Sequence, residues 1–298
     1  MRVITTVRDM LDARASWAAF ETVGLVPTMG YLHEGHLSLV RRARAENDIL
    51  TASIFVNPTQ FAPHEDLERY PRDLPRDLHL LEDCGLDAVF IPTAADMYPP
   101  GFATYVEPGG SLTSVGEGAS RPGHFRGVAT VVLKIFQIIQ PQRAYFGQKD
   151  AQQVAVISRM VADLNLPVSL RILSTVREAD GLAMSSRNTY LTPAARAASA
   201  ILYKALLAGK QAFESRLSEG PAGVVRTMQE VVASEPGATL DYAEVRDPDT
   251  FLPLERLQAP ALLLLAATVG PTRLIDNFLL RADGTWETGT LLDERDLS

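Results

Sequence analysis

Two histidines stand three residues apart in the segment P-T-M-G-Y-L-H-E-G-H, at His33 and His36. The segment follows an apolar run and opens a helical stretch, where free backbone N–H groups and the helix dipole favour a phosphate. At this spacing the two side chains project from one side of a helix, with Cβ atoms about 5–6 Å apart. Both imidazoles can donate hydrogen bonds to phosphate oxygens, and Gly35 lets a ligand approach the backbone closely. The pattern favours phosphate chemistry.

Two other interpretations fit the same residues, namely a turn that carries two surface histidines and a histidine pair that binds zinc. The chain has five histidines and one cysteine. A zinc site needs further nitrogen or sulfur ligands nearby. Because two of the five histidines fall in the first strand-to-helix turn, phosphate binding is the favoured interpretation.

Amide side chains follow the next apolar run, in N-P-T-Q-F. Asn57 and Gln60 offer paired donors and acceptors suited to a small polar substrate, although a turn at a strand end explains N-P equally well. Further along, R-P-G-H-F-R-G-V concentrates Arg121, His124 and Arg126 in an otherwise acidic chain. A solvated loop is the alternative interpretation of that segment.

Phosphate-binding side chains also occur in Y-F-G-Q-K-D-A-Q-Q and in M-S-S-R-N. Lys149 can meet a phosphate as a point charge, and Asp150 can hold a ribose hydroxyl or cap the following helix. Ser185, Ser186 and Arg187 form a donor cluster that could close over a triphosphate, or a serine-rich helix cap. The sequence contains no GxxxxGK[ST] motif, which excludes a Walker-type NTPase.

The composition narrows the function classes. A net charge of −8 argues against nucleic-acid binding, which draws its affinity from clustered Lys and Arg. The single cysteine, Cys84, forms no intrachain disulfide and gives no support for an oxidising compartment. The N-terminus lacks the apolar run of a secretion signal, and the longest apolar stretch, 259–269, is shorter than the ~20 residues of a membrane span. We therefore expect a cytoplasmic protein without membrane partners.

The elements that must position these residues alternate through the first half of the chain. Nearly all-apolar strands that alternate with helices imply a parallel sheet covered on both faces. Ligands bind beyond the carboxyl ends of such strands, where the motifs fall. Strands are predicted at 22–27, 48–56, 87–92, 144–147 and 167–173, and helices at 35–46, 72–84, 127–140 and 151–164.

From about Val176 the pattern changes to a smaller α+β unit, so a domain boundary is predicted near residue 175, giving domains 1–175 and 176–298. The polar tail after Leu280 is expected to be loosely held. Helical stretches are predicted at 192–217 and 221–234, and extended segments at 240–245, 261–269 and 273–280.

Taken in order, five motifs resemble the pantothenate synthetase family, the pantoate–β-alanine ligases. They are H-x-G-H, N-P-x-Q-F, R-P-x-H-F-x-G-V, G-[EQ]-K-D and M-S-S-R-N, and the resemblance extends to T-R-L-I-D-N at 272–277. H-x-G-H alone marks the wider nucleotidylyltransferase superfamily, whereas five motifs in order are specific. Gln148 stands where many relatives carry Glu.

The resemblance implies a Rossmann-type N-terminal domain that binds ATP and pantoate, a smaller C-terminal lid and a homodimer. It also implies two steps. Pantoate is first adenylated by ATP with the assistance of Mg²⁺, releasing pyrophosphate. β-Alanine then attacks the pantoyl adenylate, releasing AMP and pantothenate.

The resemblance also assigns residues. His36, as proton donor, His33 and Lys149 would be catalytic, and no residue is directly assigned to a metal. Gln60 would hold pantoate and β-alanine, Gln153 would hold pantoate, and Asn57, Tyr70, Arg121 and His124 would line the substrate site. The ATP site would consist of Met29, Gly30, Tyr31, Leu32, His33, Glu34, Gly35, His36, Gly147, Gln148, Lys149, Asp150, Val176, Met184, Ser185, Ser186 and Arg187.

Two other function classes stay open from the sequence. A nucleotidylyltransferase that joins AMP to a phosphorylated metabolite would keep H-x-G-H but has no need of Gln60 and Gln153. A non-enzymatic nucleotide sensor would bind ATP without turnover. The clustering of Lys149, Arg187 and two histidines around the expected triphosphate argues against a sensor.

Overall fold

The computed structural model describes residues 1–63, 65–215 and 219–292. The chain divides into two compact units, one formed by residues 1–147 and 156–173, the other by 148–155 and the residues from 174 onward. The assignment of ATP and pantoate binding to residues 1–175 and of a lid to residues 176–298 stays a prediction. No helix in the described ranges combines the length and the apolar character that a membrane crossing requires.

The first unit is an α/β structure built on a parallel sheet. Its strands are β1 (Arg2–Ile4), β2 (Val23–Thr28), β3 (Ile49–Ile54), β4 (Ala88–Phe90), β5 (Arg143–Gly147) and β6 (Ser169–Leu173). Its helices are α1 (Val7–Ser16), α2 (Glu34–Glu46), α3 (Leu74–Asp83), α4 (Ala94–Met97), α5 (Ser111–Ser114), α6 (Gly116–Ser120), α7 (His124–Ile139) and α8 (Ala151–Asp163), whose first five residues belong to the other unit.

All six strands run parallel in the order β1-β4-β3-β2-β5-β6. Strands β2 and β3 are buried along nearly their whole length, as nearly all-apolar sequences require when both faces of a sheet are covered. Val40 of α2 packs with Val26 and Leu50 in one hydrophobic cluster. The strand order reverses between β2 and β5, and such a switch point is where parallel sheets bind ligands.

The second unit is a smaller α+β structure, so the predicted fold class is confirmed. Strands β8 (Ala238–Arg246), β9 (Ala261–Val269), β10 (Thr272–Leu280) and β11 (Trp286–Glu287) form an antiparallel sheet in the order β11-β10-β9-β8. Two of the helices in this unit are α10 (Ile201–Glu214) and α11 (Gly220–Ala233). Helices α10 and α11 pack on this sheet, and Leu206, Met228, Leu263 and Phe278 share its core. The unit also contains β7 (Val176–Arg177), α9 (Pro193–Ser199) and β12 (Thr290–Leu291).

The prediction of a loosely held tail is wrong for residues 281–292. Strand β11 pairs with β10, and β12 pairs with β7. The Trp286 ring lies 5.5 Å from the Phe213 ring, so partial burial of one aromatic side chain and pairing at a sheet edge hold the segment. The predicted helix 192–217 is two helices that meet at Ala200, and residues 216–217 lie outside the described ranges.

Candidate active site

The two histidines of H-x-G-H lie at the start of α2, directly after the switch-point strand β2. His33 precedes the first residue of the helix, and its backbone N–H donates to His36 Nδ1 at 3.3 Å. The two ring centroids are 4.0 Å apart. Because Nδ1 accepts this hydrogen bond, the His36 ring is neutral and carries its proton on Nε2. His36 can therefore present an N–H donor at the positive end of the helix dipole.

A buried carboxylate shapes the loop before these histidines. Gly30 and Tyr31 have φ angles of +84° and +51°. The backbone N–H groups of Tyr31 and Leu32 donate to the two Asp77 carboxylate oxygens at 2.6 and 2.7 Å. Asp77 is 1% exposed, and its burial raises the pKa of the carboxyl group. The two charge-assisted hydrogen bonds offset part of that desolvation.

Asp77 is absent from the residues singled out in the sequence, although a signal for it exists. It lies on α3 next to Leu78 and four residues before the fully buried Leu81. A carboxylate on the apolar face of a helix must find hydrogen-bond partners inside the protein. Its partners here are the backbone N–H groups of the H-x-G-H loop.

Gln60 ends the short 3₁₀ turn Pro58–Gln60 that follows β3. The side chain is 8% exposed, and its Oε1 accepts a hydrogen bond from Asn57 Nδ2 at 3.1 Å. Its Nε2 lies 3.2 Å from the Met29 sulfur. A thioether is a weak acceptor, so a substrate oxygen would be a stronger partner for the same N–H. The structure thus brings Met29, Asn57 and Gln60 together.

Arg121, which follows the end of α6, and His124, the first residue of α7, both contact this turn. His124 Nδ1 lies 2.9 Å from the Gln60 carbonyl oxygen, and Arg121 Nη1 lies 3.2 Å from His124 Nε2. Arg121 also pairs with both Glu65 oxygens, at 3.0 and 2.5 Å. Burial, together with the Arg121 charge, lowers the pKa of His124 to about 4. The neutral ring accepts from Arg121 and donates Nδ1–H to Gln60.

A cavity of about 320 Å³ lies beside the turn. This volume is at the lower end of the range for ligand pockets, about 300–1,000 Å³. Tyr70 is buried with its ring edge-on to Phe61, at a centroid distance of 6.2 Å. The cavity is lined in part by Gln60, Phe61, Glu65, Tyr105, His124 and Arg126.

The sequence-predicted residues Gln148, Lys149, Asp150 and Gln153 belong to the second unit. Residues Gln148–Asp150 form a 3₁₀ turn that leads into α8. Lys149 Nζ lies 3.5 Å from Asp150 Oδ1. Gln153 lies on the first turn of α8 and is half-buried.

The V-R-E and M-S-S-R segments lie next to each other in the second unit, in a hairpin. The Met184 backbone N–H donates to the Val176 carbonyl oxygen at 3.0 Å. Ser185 Oγ accepts from the Arg187 backbone N–H at 3.3 Å and so caps the 3₁₀ turn Ser186–Tyr190. The four sequence-predicted nucleotide residues 184–187 therefore run from the hairpin into this turn.

Fold and site together define a class. The first unit is an α/β protein whose switch-point edge carries a histidine pair at a helix start, a glycine at the end of β5 (Gly147) and a buried amide turn. This is the architecture of enzymes that bind phosphorylated ligands beyond the carboxyl ends of a parallel sheet.

Comparison with known proteins gives the family. The sequence model described as Pantoate-beta-alanine ligase matches residues 2–279. The chain belongs to the pantoate-β-alanine ligase family and is a ligase, which confirms the resemblance found in the sequence. It is 57% identical over 282 residues to pantothenate synthetase from Roseiflexus castenholzii, covering 95% of this chain and 100% of that protein.

Solved structures of relatives share the fold. Pantothenate synthetase from Thermus thermophilus superposes with a TM-score of 0.88 at 50% identity, covering 93% of this chain and 98% of the other. Pantoate-beta-alanine ligase from Francisella tularensis, complexed with beta-gamma ATP and beta-alanine, gives 0.78 at 36% identity, covering 94% and 97%.

Proposed function

We propose that the chain joins pantoate to β-alanine with ATP in two steps. A pantoate carboxylate oxygen attacks the α-phosphorus of ATP, the bond to the bridging oxygen breaks, and pyrophosphate leaves. The β-alanine nitrogen then attacks the acyl carbon of the pantoyl adenylate, AMP leaves, and the nitrogen loses a proton. Family membership supports the ligation, and the ATP and β-alanine ligands of the Francisella tularensis relative support the choice of substrates.

The observation that carries this proposal is the hydrogen bond between the His33 backbone N–H and His36 Nδ1. Because Nδ1 accepts, the Nε2–H of His36 is the ring's donor. During adenylation negative charge grows on the leaving pyrophosphate, and a preorganised donor at a helix start stabilises that charge more than it stabilises bound ATP. We assign His36 to this role, with His33 beside it on the phosphates and the loop Met29–Leu32 with Glu34 and Gly35 against the nucleotide.

The Gln60 side-chain amide is proposed to donate a hydrogen bond to pantoate. Its present partner, the Met29 sulfur, is weak, so a pantoate oxygen can replace it at little cost. Asn57 would orient the amide through Oε1. Gln60 would also lie near the incoming β-alanine nitrogen, because it holds the acid whose carbonyl carbon is attacked. Gln153 is proposed as a second pantoate ligand and Tyr70 as a lining residue.

Arg121 and His124 are proposed to act on the substrate through Gln60. The hydrogen bonds of these two side chains are to protein groups, including the Gln60 carbonyl oxygen, which both contact. Both residues would therefore set the position of the Gln60 turn at the wall of the cavity.

The second unit is proposed to supply nucleotide contacts from two turns. Lys149 would neutralise phosphate charge, and the hairpin residues Val176 and Met184, with Ser185, Ser186 and Arg187, would contact ATP together with Gly147, Gln148 and Asp150. No cluster of three or more His, Cys, Asp or Glu suited to a metal exists in the described ranges. Mg²⁺ commonly binds through substrate phosphates and one or two carboxylates. We propose that it enters with ATP and would neutralise phosphate charge.

Product analysis tests the proposal. With ATP, pantoate and β-alanine, chromatography is expected to show AMP and pyrophosphate in amounts equal to the pantothenate formed. Omission of pantoate should abolish AMP formation. Stoichiometric ADP and inorganic phosphate would contradict an adenylate intermediate.

A further inference from the structure

We propose that Asn277, in the segment T-R-L-I-D-N, is a positioning residue for Lys149. The inference deepens the proposed function and depends on the role given there to Lys149. Asn277 lies on β10, 128 residues along the chain from Lys149, yet in the same structural unit. It is offered as a residue that acts through Lys149 and does not touch substrate.

The Asn277 side chain uses its hydrogen-bonding capacity on one turn. It is 3% exposed. Its Nδ2 donates to the carbonyl oxygens of Gln148 and Lys149, at 3.1 and 2.8 Å. Its Oδ1 accepts from Gln148 Nε2 at 3.2 Å. Two hydrogen bonds from one buried amide therefore hold the backbone carbonyl groups of Gln148 and Lys149, and the third holds the Gln148 side chain.

A buried ion pair next to Asn277 holds this residue in place on strand β10. Arg177 is 0% exposed and binds both Asp276 oxygens, at 2.6 and 2.9 Å. Asp276 Oδ1 also accepts the Asn277 backbone N–H at 2.8 Å. Bidentate pairs of this kind are geometrically specific, and buried charges require such partners.

The same arginine reaches the hairpin that carries the other nucleotide residues. Arg177 donates to the carbonyl oxygens of Gly181 and Thr288, at 2.9 and 2.5 Å. Gly181 is the turn of the hairpin that pairs Val176 with Met184. One network thus connects the 176–184 hairpin, strand β10 and the Lys149 turn.

This network matters because a lysine side chain is flexible. Its ammonium is a point charge on a four-carbon stem, so the backbone of the turn decides where the charge can lie. A misplacement of about 1 Å in a catalytic arrangement can reduce the rate by about 10²-fold. An alanine at position 277 would leave two carbonyl oxygens of the turn without their donor, and we expect kcat to fall roughly 10- to 100-fold.

A double-mutant cycle tests the inference. The variants are Asn277→Ala, Lys149→Ala and their combination, with kcat and the KM for ATP measured for pantoate-dependent release of pyrophosphate. Thr272→Val is the matched control, because Thr272 is buried on the same strand and its hydroxyl has no hydrogen-bond partner among the described residues. Interacting residues give non-additive effects in such a cycle.

We expect Asn277→Ala to lower kcat at least tenfold in the wild-type chain, with a smaller change in KM, and less than about threefold in the Lys149→Ala chain. Thr272→Val should stay near wild type in both. Thermal melts check folding. If Asn277→Ala does not fold, Asn277→Ser, which keeps one donor toward the turn, takes its place.

Three results would overturn the inference alone: equal losses from Asn277→Ala in both chains, wild-type kcat in Asn277→Ala, or an equal loss in Thr272→Val. Failure of the proposed role of Lys149 would be seen separately, as wild-type kcat in Lys149→Ala alone.

Discussion

His36 and His124 are both neutral imidazoles, but they carry their protons on opposite nitrogens. His36 accepts at Nδ1 from the backbone of His33, which leaves the proton on Nε2. His124 donates from Nδ1 to the Gln60 carbonyl oxygen, because Arg121 donates to its Nε2. The hydrogen-bond partners of each ring therefore distinguish His36, a proposed hydrogen-bond donor to phosphate, from His124, which holds the Gln60 turn.

Replacement of Asp77 tests how the H-x-G-H loop is held. Asp77→Asn keeps the size of the side chain but turns one acceptor into a donor that faces a backbone N–H. The loss of a buried charged hydrogen bond is about 1–3 kcal/mol, so we expect kcat/KM for ATP to fall at least tenfold. The measurement is the initial rate at varied ATP concentration.

Asp73→Asn is the control for that experiment, since Asp73 caps the same helix from a partly exposed position and Asn caps equally well. It should keep wild-type activity. An Asp77→Asn variant within twofold of wild type would show that the loop does not need the carboxylate.

The pKa of His124 predicts a pH dependence of stability. The folded pKa is about 4 and the ordinary value is 6.5, so between these values the unfolded chain binds a proton that the folded chain does not. Stability from this residue is full above pH 6.5 and is lost as the pH falls toward 4. The difference is on the order of 3 kcal/mol.

Urea unfolding between about pH 7 and 4.5 checks this prediction. Asn at position 124 can donate to the same carbonyl oxygen but does not titrate, so His124→Asn should lose less stability than wild type over this range. Trp17 fluorescence reports on the first unit if both proteins also carry Trp286→Phe. If the free energy of unfolding falls equally with pH in the two proteins, the lowered pKa of His124 is contradicted.

Residues in motifs were predictable because their types bear the chemistry directly. Asp77 and Asn277 were harder to predict, because their function lies in contacts with the backbone of distant segments, 45 and 128 positions away in the sequence. Sequence spacing carries no information on such contacts. For Asp77 the sequence gives a different signal, namely a carboxylate on the apolar face of a helix.

Among the elements, α7 and the Gln60 turn pack so closely that position 127 of α7 has no room for a side chain. A Cβ added at Gly127 would lie 2.4 Å from the Thr59 carbonyl oxygen and 2.7 Å from Gln60 Cα. The Gly127 carbonyl oxygen also accepts a hydrogen bond from Asn57 Nδ2 at 3.1 Å. Two motifs that the sequence presents separately, N-P-T-Q-F and R-P-G-H-F-R-G-V, are thus one packed structure.

Gly127→Ala should separate these two elements and displace Gln60. Because backbone atoms oppose the new methyl group, we expect at least a tenfold loss of pantoate-dependent activity, seen mainly as a higher KM for pantoate. Gly109→Ala is the control, since a Cβ there meets open space. Equal activity in the two variants would mean that the packing does not position Gln60.

Short, nearly continuous apolar runs predicted the buried strands, and apolar residues that recur about every 3.6 positions predicted the amphipathic helices. These patterns did not predict β1 or α1, because a three-residue edge strand and a largely polar helix carry little of either signal. The polarity of the tail predicts a loosely held segment, whereas Trp286 and backbone pairing with β10 decide its structure.

At the scale of the whole molecule, family membership and fold agree with the sequence-based prediction, and the proposal adds the order of chemical steps. The homodimer that the resemblance implies stays a prediction, and light scattering coupled to size exclusion would give its mass. A chain mass of 32.5 kDa implies about twice that value for a dimer.

The proposed mechanism requires that pantoate is adenylated before β-alanine reacts. The most direct test is exchange of labelled pyrophosphate into ATP in the absence of β-alanine. We expect exchange that requires pantoate, because the adenylation step is reversible and precedes entry of the amine. Exchange without pantoate, or none until β-alanine is added, would contradict it.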